Sequence, residues 1–403
     1  MAAYATPQGH RPTLIACFLH FDLSFMLWVL LGALGIYIAE DLGLSPLQKG
    51  LLVAVPILSG SLLRIPLGLL SDRTGGRPAG IALLAFLFLP LLLGWQLGSS
   101  LPIVILVGLM LGTAGASFAV ALPLASRWYP PERQGLIMGI TAAGNSGTVI
   151  ANLLAPRLAN LVGWHNVLGL AMIPLAVVLV AFIIMAKNRQ DHSVGRPIGE
   201  YLSILKHGDL WWFCLFYSVT FGGYVGLSSF LPVFLRDQYG AMPVTAGYLT
   251  AVAAFVGSGV RPIGGYLADR LGGVRVLSFL FLGIGSLYAL GALLPSVALM
   301  MVLLVIGMAC LGMGNGAVFQ MVPQRFRGAI GISSGIVGAI GGLGGFLLPV
   351  LLGSVKEFTN SFTPGFLTLS AVAIGSLALL WFLPMARVSR LTNSAIRDVT
   401  PVS

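Results

Sequence analysis

Two arginines stand inside otherwise apolar stretches of this 403-residue chain: Arg64 in AVPILSGSLLRIPLGLLSD and Arg261 in AVAAFVGSGVRPIGGYLAD. Each lies eight residues before a loop aspartate, Asp72 or Asp269, which is roughly 12 Å of helix. A guanidinium so far from the loops needs a reason, since burying one in hydrocarbon costs at least about 2.5 to 3.5 kcal/mol. Its donor fork is planar, rigid and permanently protonated, so it suits a flat oxyanion, where lysine would present only a point charge.

The ordinary partner would be a buried carboxylate, and the acids can be placed. Of the twelve Asp and Glu, Glu40, Asp41, Asp72, Glu132, Asp191, Glu200, Asp209, Asp237, Asp269, Glu357 and Asp398 fall in loops, tails or helix ends, which leaves Asp22 inside an apolar stretch. Two positive charges therefore face one negative. If Asp22 pairs with one arginine, a positive charge remains for a substrate anion. Asp22 is also the candidate for proton coupling, with burial and a neighbouring arginine acting on its protonation in opposite directions. A permanent salt bridge or a helix-packing hydrogen bond is its alternative role.

Small and flat residues surround these charges. Gly139, Gly144 and Gly147, with Asn145 among them, and the run from Gly335 to Gly345 allow close helix approach. Phe21, Phe25 and Trp28 share a face at helical spacing, as do Tyr217, Phe221 and Tyr224, and Phe118 follows a small-residue run. Each of these features also reads as plain packing. Cys17, Cys214 and Cys310 stand singly, which fits neither a disulfide framework nor a metal site. No cluster of carboxylates, nucleophile and base, or histidines points to an enzyme. A Walker-type phosphate loop is absent, so ion gradients are the expected energy source, with no cofactor.

The elements that must position these residues follow from composition. With 57% hydrophobic and 8% charged residues and a mean hydropathy of +0.96, the chain has too little polar surface for a water-soluble globule. Its apolar stretches reach the roughly 20 residues that a bilayer-spanning helix needs. They start near Pro12, Leu47, Pro78, Leu101, Gln134, Asn166, Leu210, Pro243, Val274, Val297, Gly328 and Pro364, which predicts an all-α membrane protein of about twelve helices. The first stretch lacks a small-residue cleavage site and is expected to stay. The longest polar interruption divides the spans six and six, giving an N-terminal half 1–186, a linker 187–209 and a C-terminal half 210–403.

A net charge of +10 raises the question of nucleic acid, and its distribution answers it. Apart from Arg64 and Arg261, the Lys and Arg fall sixteen on the side of the termini and four, Lys49, Arg157, Arg236 and Lys356, on the other. That asymmetry is topological, so both termini and the linker are expected to be cytoplasmic in a multi-pass cell-membrane protein. Internal repetition is the strongest architectural signal. At an offset of 197 residues, Arg64, Gly68, Asp72, Arg73, Gly75 and Gly76 meet Arg261, Gly265, Asp269, Arg270, Gly272 and Gly273, and Gly144 and Gly147 meet Gly341 and Gly344.

Two six-helix repeats with a loop reading Gly68-Leu-Leu-Ser-Asp72-Arg73-Thr-Gly75-Gly76-Arg77 resemble the major facilitator superfamily, in which this loop follows the second helix and a degraded copy, here Gly265 to Arg275, the eighth. The resemblance implies two pseudo-symmetric halves with substrate bound between them near the midplane and alternating access, and a loop whose Asp and Arg can pair between halves. The stretches Phe21-Asp22-Leu-Ser-Phe25-Met-Leu-Trp28, Arg64, Gly115-Ala-Ser-Phe118-Ala, Ala143-Gly144-Asn145-Ser-Gly147, Tyr217-Ser-Val-Thr-Phe221-Gly222, Arg261 and Gly344-Gly345 narrow it to the nitrate/nitrite porter family. That family's pattern implies an anion clasped by Arg64 and Arg261, hydrogen-bonded by Asn145 and Tyr217, sandwiched by Phe221 and Phe118, and walled by Phe21 or Phe25. Asn152 is a rival to Asn145. The expectation is nitrate or nitrite transport, by proton symport on the likeness of the first helix, in a monomer within the lipid bilayer. Nitrate/nitrite exchange and proton-coupled antiport of an organic or drug-like compound are the alternatives.

Overall fold

Proline stands in the first turn of several helices, and the boundaries fall close to the expected ones. The structure, a computed structural model, describes residues 9–189, 203–326 and 330–382. Part of the linker and Arg196, Arg327, Arg387, Arg390 and Arg397 lie outside these residues. Among the described residues eleven helices are long and apolar enough to cross a membrane. A further one, the first in sequence, runs as Arg11–Trp28, Leu30–Ala33 and Gly35–Leu42, interrupted at Val29 and Leu34; together these pieces are α1.

Then follow α2 (Pro46–Thr74), α3 (Gly76–Leu97), α4 (Leu101–Ser126), α5 (Ile137–Val162) and α6 (Trp164–Met185). The second half repeats them as α7 (Gly208–Tyr239), α8 (Pro243–Leu271), α9 (Gly273–Gly291), α10 (Val297–Arg325), α11 (Ile330–Thr359) and α12 (Thr363–Phe382). The repeat is visible in the backbone as well as in the sequence. Both ends of α8 lie 197 residues after those of α2. Left-handed glycines recur at the same offset: Gly43 and Gly240 at φ 60° and 66°, and Gly75 and Gly272 at φ 92° and 90°. A side chain there would be strained, which is why glycine punctuates the same turns twice.

The halves are clasped at the end of the bundle away from the termini, where α2 packs on α11 and α5 on α8. Backbones touch there because glycines permit it: a Cβ on Gly50 would strike the Pro349 carbonyl, and one on Gly247 would meet Pro156 at 2.8 Å. Polar ties cross the same seam. Lys49 on α2 pairs with Asp237 on α7 at 2.8 Å, and Arg236 on α7 with Glu40 on α1 at 2.7 Å. Glu357 on α11 accepts from Ser45 Oγ at 2.6 Å and Leu47 N at 2.8 Å. At the termini end, the ion pairs Asp72–Arg127 at 2.7 Å and Asp209–Arg325, and the Gln320–Asp269 hydrogen bond at 2.7 Å, each lie within one half.

Candidate functional site

Helix α2 is secured at its start by a capping box, in which Ser45 and Gln48 satisfy each other's backbone donors behind Pro46. Five turns later it delivers Arg64 to the seam between halves, 2% exposed. Its Nε donates to the Gly115 carbonyl on α4 at 3.0 Å and its Nη1 to the Gly338 carbonyl on α11 at 2.5 Å. Arg64 thus ties the two halves at their middle. Its Nη2 is buried with no hydrogen-bond partner. Three rings surround the guanidinium, Phe221 at 5.0 Å, Phe118 at 5.2 Å and Trp28 at 5.4 Å; such faces attract a cation by about 0.5 to 2 kcal/mol each.

Arg261 occupies the equivalent place on α8, immediately after a break at Val260. The break has a local cause: Pro262 has no N–H to give the Ser258 carbonyl one turn back, and its ring crowds that carbonyl. Arg261 is partly buried. It is close enough to the Tyr217 hydroxyl to interact with it electrostatically, lies 6.0 Å from the Phe319 ring, and is near enough to Arg64 for the two charges to repel. Among the described residues, neither arginine has a carboxylate within ion-pair distance.

The aromatic residues form one continuous wall. Tyr217 and Phe221 stack with centroids 4.9 Å apart and an interplanar angle of 1°, and Trp28 lies over Phe221 at 6.4 Å. Phe21 reaches Phe118 at 6.2 Å, while Phe25 stands behind it, against Phe21 at 4.6 Å and Trp28 at 5.1 Å. Phe25 is therefore a support for the wall rather than part of its face. Phe319, which the sequence reading did not single out, closes the circuit: it is 4.7 Å from Tyr217 and 6.0 Å from Phe118. The repeat offset carries Phe118 onto Asn315, and the second half places its ring one turn further on, so matching positions could not find it. Trp28 was noted as one of a stripe but not as a neighbour of Arg64.

Asn145 is 3% exposed, in a 3-10 turn (Ala143–Ser146) that interrupts α5, and its Oδ1 is buried without a partner. The rival Asn152 turns its Nδ2 back to the Thr148 carbonyl of its own helix at 2.9 Å. Asp22 does not pair with an arginine. It faces α5, where its Oδ1 accepts from Ser146 Oγ at 2.5 Å. His20, 0% exposed, points elsewhere, towards the Gly80 carbonyl at 3.3 Å.

The loop residues serve their own halves in the contacts seen. Asp72 binds Arg127, and Arg77 donates from Nη2 to the Ile183 carbonyl at 2.8 Å. Gly76 lies against Leu124, and the exposed Arg270 sits 4.6 Å from the Tyr266 ring. Gly68, Arg73 and Asp269 are at the same end of the bundle.

A helical bundle of two repeats with paired charges at the central seam is a membrane transporter, and the family model of the Major Facilitator Superfamily matches residues 16–349. The nucleoside transporter NupG, in a mutant crystal structure, shares the fold with a TM-score of 0.73 at 14% identity, over 91% of this chain and 98% of that one. Closer in sequence are the nitrite extrusion protein of Bacillus subtilis, 36% identical over 88% of this chain and 90% of that protein, and the probable nitrate/nitrite antiporter NarK1 of Thermus thermophilus, 33% identical over 85% and 84%. The probable nitrate transporter NarT of Staphylococcus carnosus is 30% identical over 89% and 92%. The chain belongs to the major facilitator superfamily and, within it, to the nitrate/nitrite porters. It is a multi-pass membrane transporter and not an enzyme.

Proposed function

We propose that the protein carries nitrate, nitrite or both, one anion at a time on Arg64 and Arg261, by alternating access between its halves. The observation that carries this reading is the Arg64 guanidinium, walled by three rings, with Nη2 unpartnered and no carboxylate at hand among the described residues. A flat anion between Phe221 and Phe118 would meet donors in its own plane and ring faces above and below. Tyr217 and Asn145 supply further hydrogen bonds, Phe21 and Phe319 the edges. The names of the relatives support the same substrate. An organic or drug-like substrate would need a wider pocket than this ring of aromatics. The excess of positive residues at the end of the termini supports a cytoplasmic side for them; with that orientation the clasped end is the outer one and the state is inward-facing.

For coupling, exchange fits the geometry better than the proton symport expected from the first helix. An empty site holds two uncompensated positive charges, which resist closing together in a medium of low dielectric. A loaded site loses one of them, so the carrier returns most readily with an anion aboard. Asp22, the carboxylate that symport would use, is engaged with Ser146.

Uptake of labelled nitrate into proteoliposomes tests both parts. Uptake is expected to require internal nitrite or nitrate, to ignore an imposed pH gradient, and to fall at least about tenfold in Arg64→Lys and in Arg261→Lys, which keep charge but lose the planar fork. Proton-driven uptake into vesicles without internal anion would establish symport instead. Normal uptake by both lysine variants would remove the clamp.

A further inference from the structure

Asp22 is a half-buried carboxylate inside the bundle that the anion clamp does not use, and its surroundings are unusually well defined. Among the described residues it makes no ion pair. The glycines flanking Asn145 lie flush against it: a Cβ on Gly144 would meet the Asp22 nitrogen at 2.8 Å and the Phe21 ring at 2.9 Å, and one on Gly147 would strike the Asp22 carbonyl and meet the Met26 nitrogen at 2.7 Å. Between these glycines the backbone leaves α-helical geometry for the turn Ala143–Ser146 and resumes it at Gly147–Val162. The Gly147 N–H stays with the carbonyls of its own turn, and the Ser146 hydroxyl has no role as a cap of the helix that follows. That hydroxyl instead reaches across to α1 and donates to the Asp22 carboxylate at 2.5 Å, a charge-assisted bond that ties the turn to its neighbour.

We propose that Asp22 is a positioning residue for the substrate site: its carboxylate holds the Ser146 hydroxyl of α5 from the neighbouring helix and so fixes the turn that presents Asn145 to the anion. The residue before the anchored Ser146 is Asn145 itself, buried, whose Nδ2 carries the N–H donors that an anion accepts. Movement of the turn by a fraction of an ångström would carry its amide away from the anion while leaving both arginines in place. This role rests on the anion reading above and replaces proton transfer as the reason for a buried acid at this position.

The test is nitrate exchange kinetics in proteoliposomes for wild type, Asp22→Ala, Asp22→Asn, Ser146→Ala, Asn145→Ala and the double variant Asp22→Ala/Asn145→Ala, across a range of pH. Loss of a charge-assisted hydrogen bond at the turn is expected to raise KM about tenfold in Asp22→Ala with maximal rate within about twofold. Asp22→Asn keeps an oxygen acceptor and is expected to restore KM to within about threefold at every pH, and Ser146→Ala to raise it about threefold. Because Asp22 acts through Asn145, the double variant is expected to match Asn145→Ala alone. An unchanged KM in both Asp22→Ala and Ser146→Ala, multiplying effects in the double variant, or a pH profile altered by Asp22→Asn would each overturn the proposal. If Asp22→Ala does not assemble, Ser146→Ala and Asp22→Asn decide. A wild type that moves no nitrate would instead overturn the anion reading itself.

Discussion

Arg64 commits Nε and Nη1 to backbone carbonyls, one in each half, and leaves Nη2 free. A side chain used in this way is both a rivet between halves and an unfilled hydrogen-bond site, which a surface arginine could not be. Tyr217 is held to its place by a glycine: a Cβ on Gly341 would fall on the Tyr217 ring. Gly341→Ala is therefore predicted to reach the membrane in normal amount yet lower nitrate transport at least about tenfold, since over-packing forces the ring off its position; transport within a factor of two of wild type would contradict this. The arginines, Tyr217, Phe221 and Phe118 could all be found from sequence, because charge in an apolar stretch and the family motifs mark them. Phe319 and the true partner of Asp22 could not. Phe319 breaks the 197-residue register by one turn, and whether Asp22 faces α5 or an arginine depends on how α1 is rotated, which its nearly uniform apolar surface does not reveal.

Several of the helices that present candidate residues depart from regularity where they do so. Helix α4 tightens to a 3-10 turn over Gly112–Ser117 just before Phe118, α5 does so at Asn145, α7 widens to a π turn over Ser218–Gly222 between Tyr217 and Gly223, and α8 breaks before Arg261. Such irregularity turns side chains and carbonyls into a cavity that a straight helix would keep for itself. The apolar stretches mark the starts of the helices to within a few residues but not these interruptions: the one in α8 follows from Pro262, and those in α4, α5 and α7 fall beside the closely packed glycines Gly112, Gly115, Gly144, Gly147 and Gly222. The outer clasp belongs to this scale too. The Arg236–Glu40 pair is exposed, 39% and 52%, and such pairs contribute about 0 to 1 kcal/mol, whereas Lys49 and Asp237 are 20% and 15% exposed. Glu357 additionally caps α2 from the opposite half. Lys49→Ala and Glu357→Ala are predicted to increase labelling of a cysteine placed at the outer seam by a membrane-impermeant reagent, and Arg236→Ala to change it little. No increase in any of them would show that backbone packing alone keeps the outer end shut.

At the scale of the molecule the two halves repeat each other in backbone and differ where chemistry is concentrated. Position 342, the counterpart of Asn145, is glycine, and the space a side chain would take there is filled by Ser61 Oγ of the other half. One half therefore provides the amide and the other a close seam. Of the candidate anion ligands Arg64, Arg261, Asn145 and Tyr217, the arginines are the two that the repeat matches to each other, which puts the pair at the centre of the proposal: bound anion supplies the negative charge that they lack. Nitrate titration of the purified protein by calorimetry tests this most directly. The account predicts saturable binding of nitrate and nitrite by wild type, with affinity reduced at least about tenfold in Arg64→Lys and in Arg261→Lys. Wild-type affinity in both lysine variants, or no binding of either anion by the folded wild type, would contradict it.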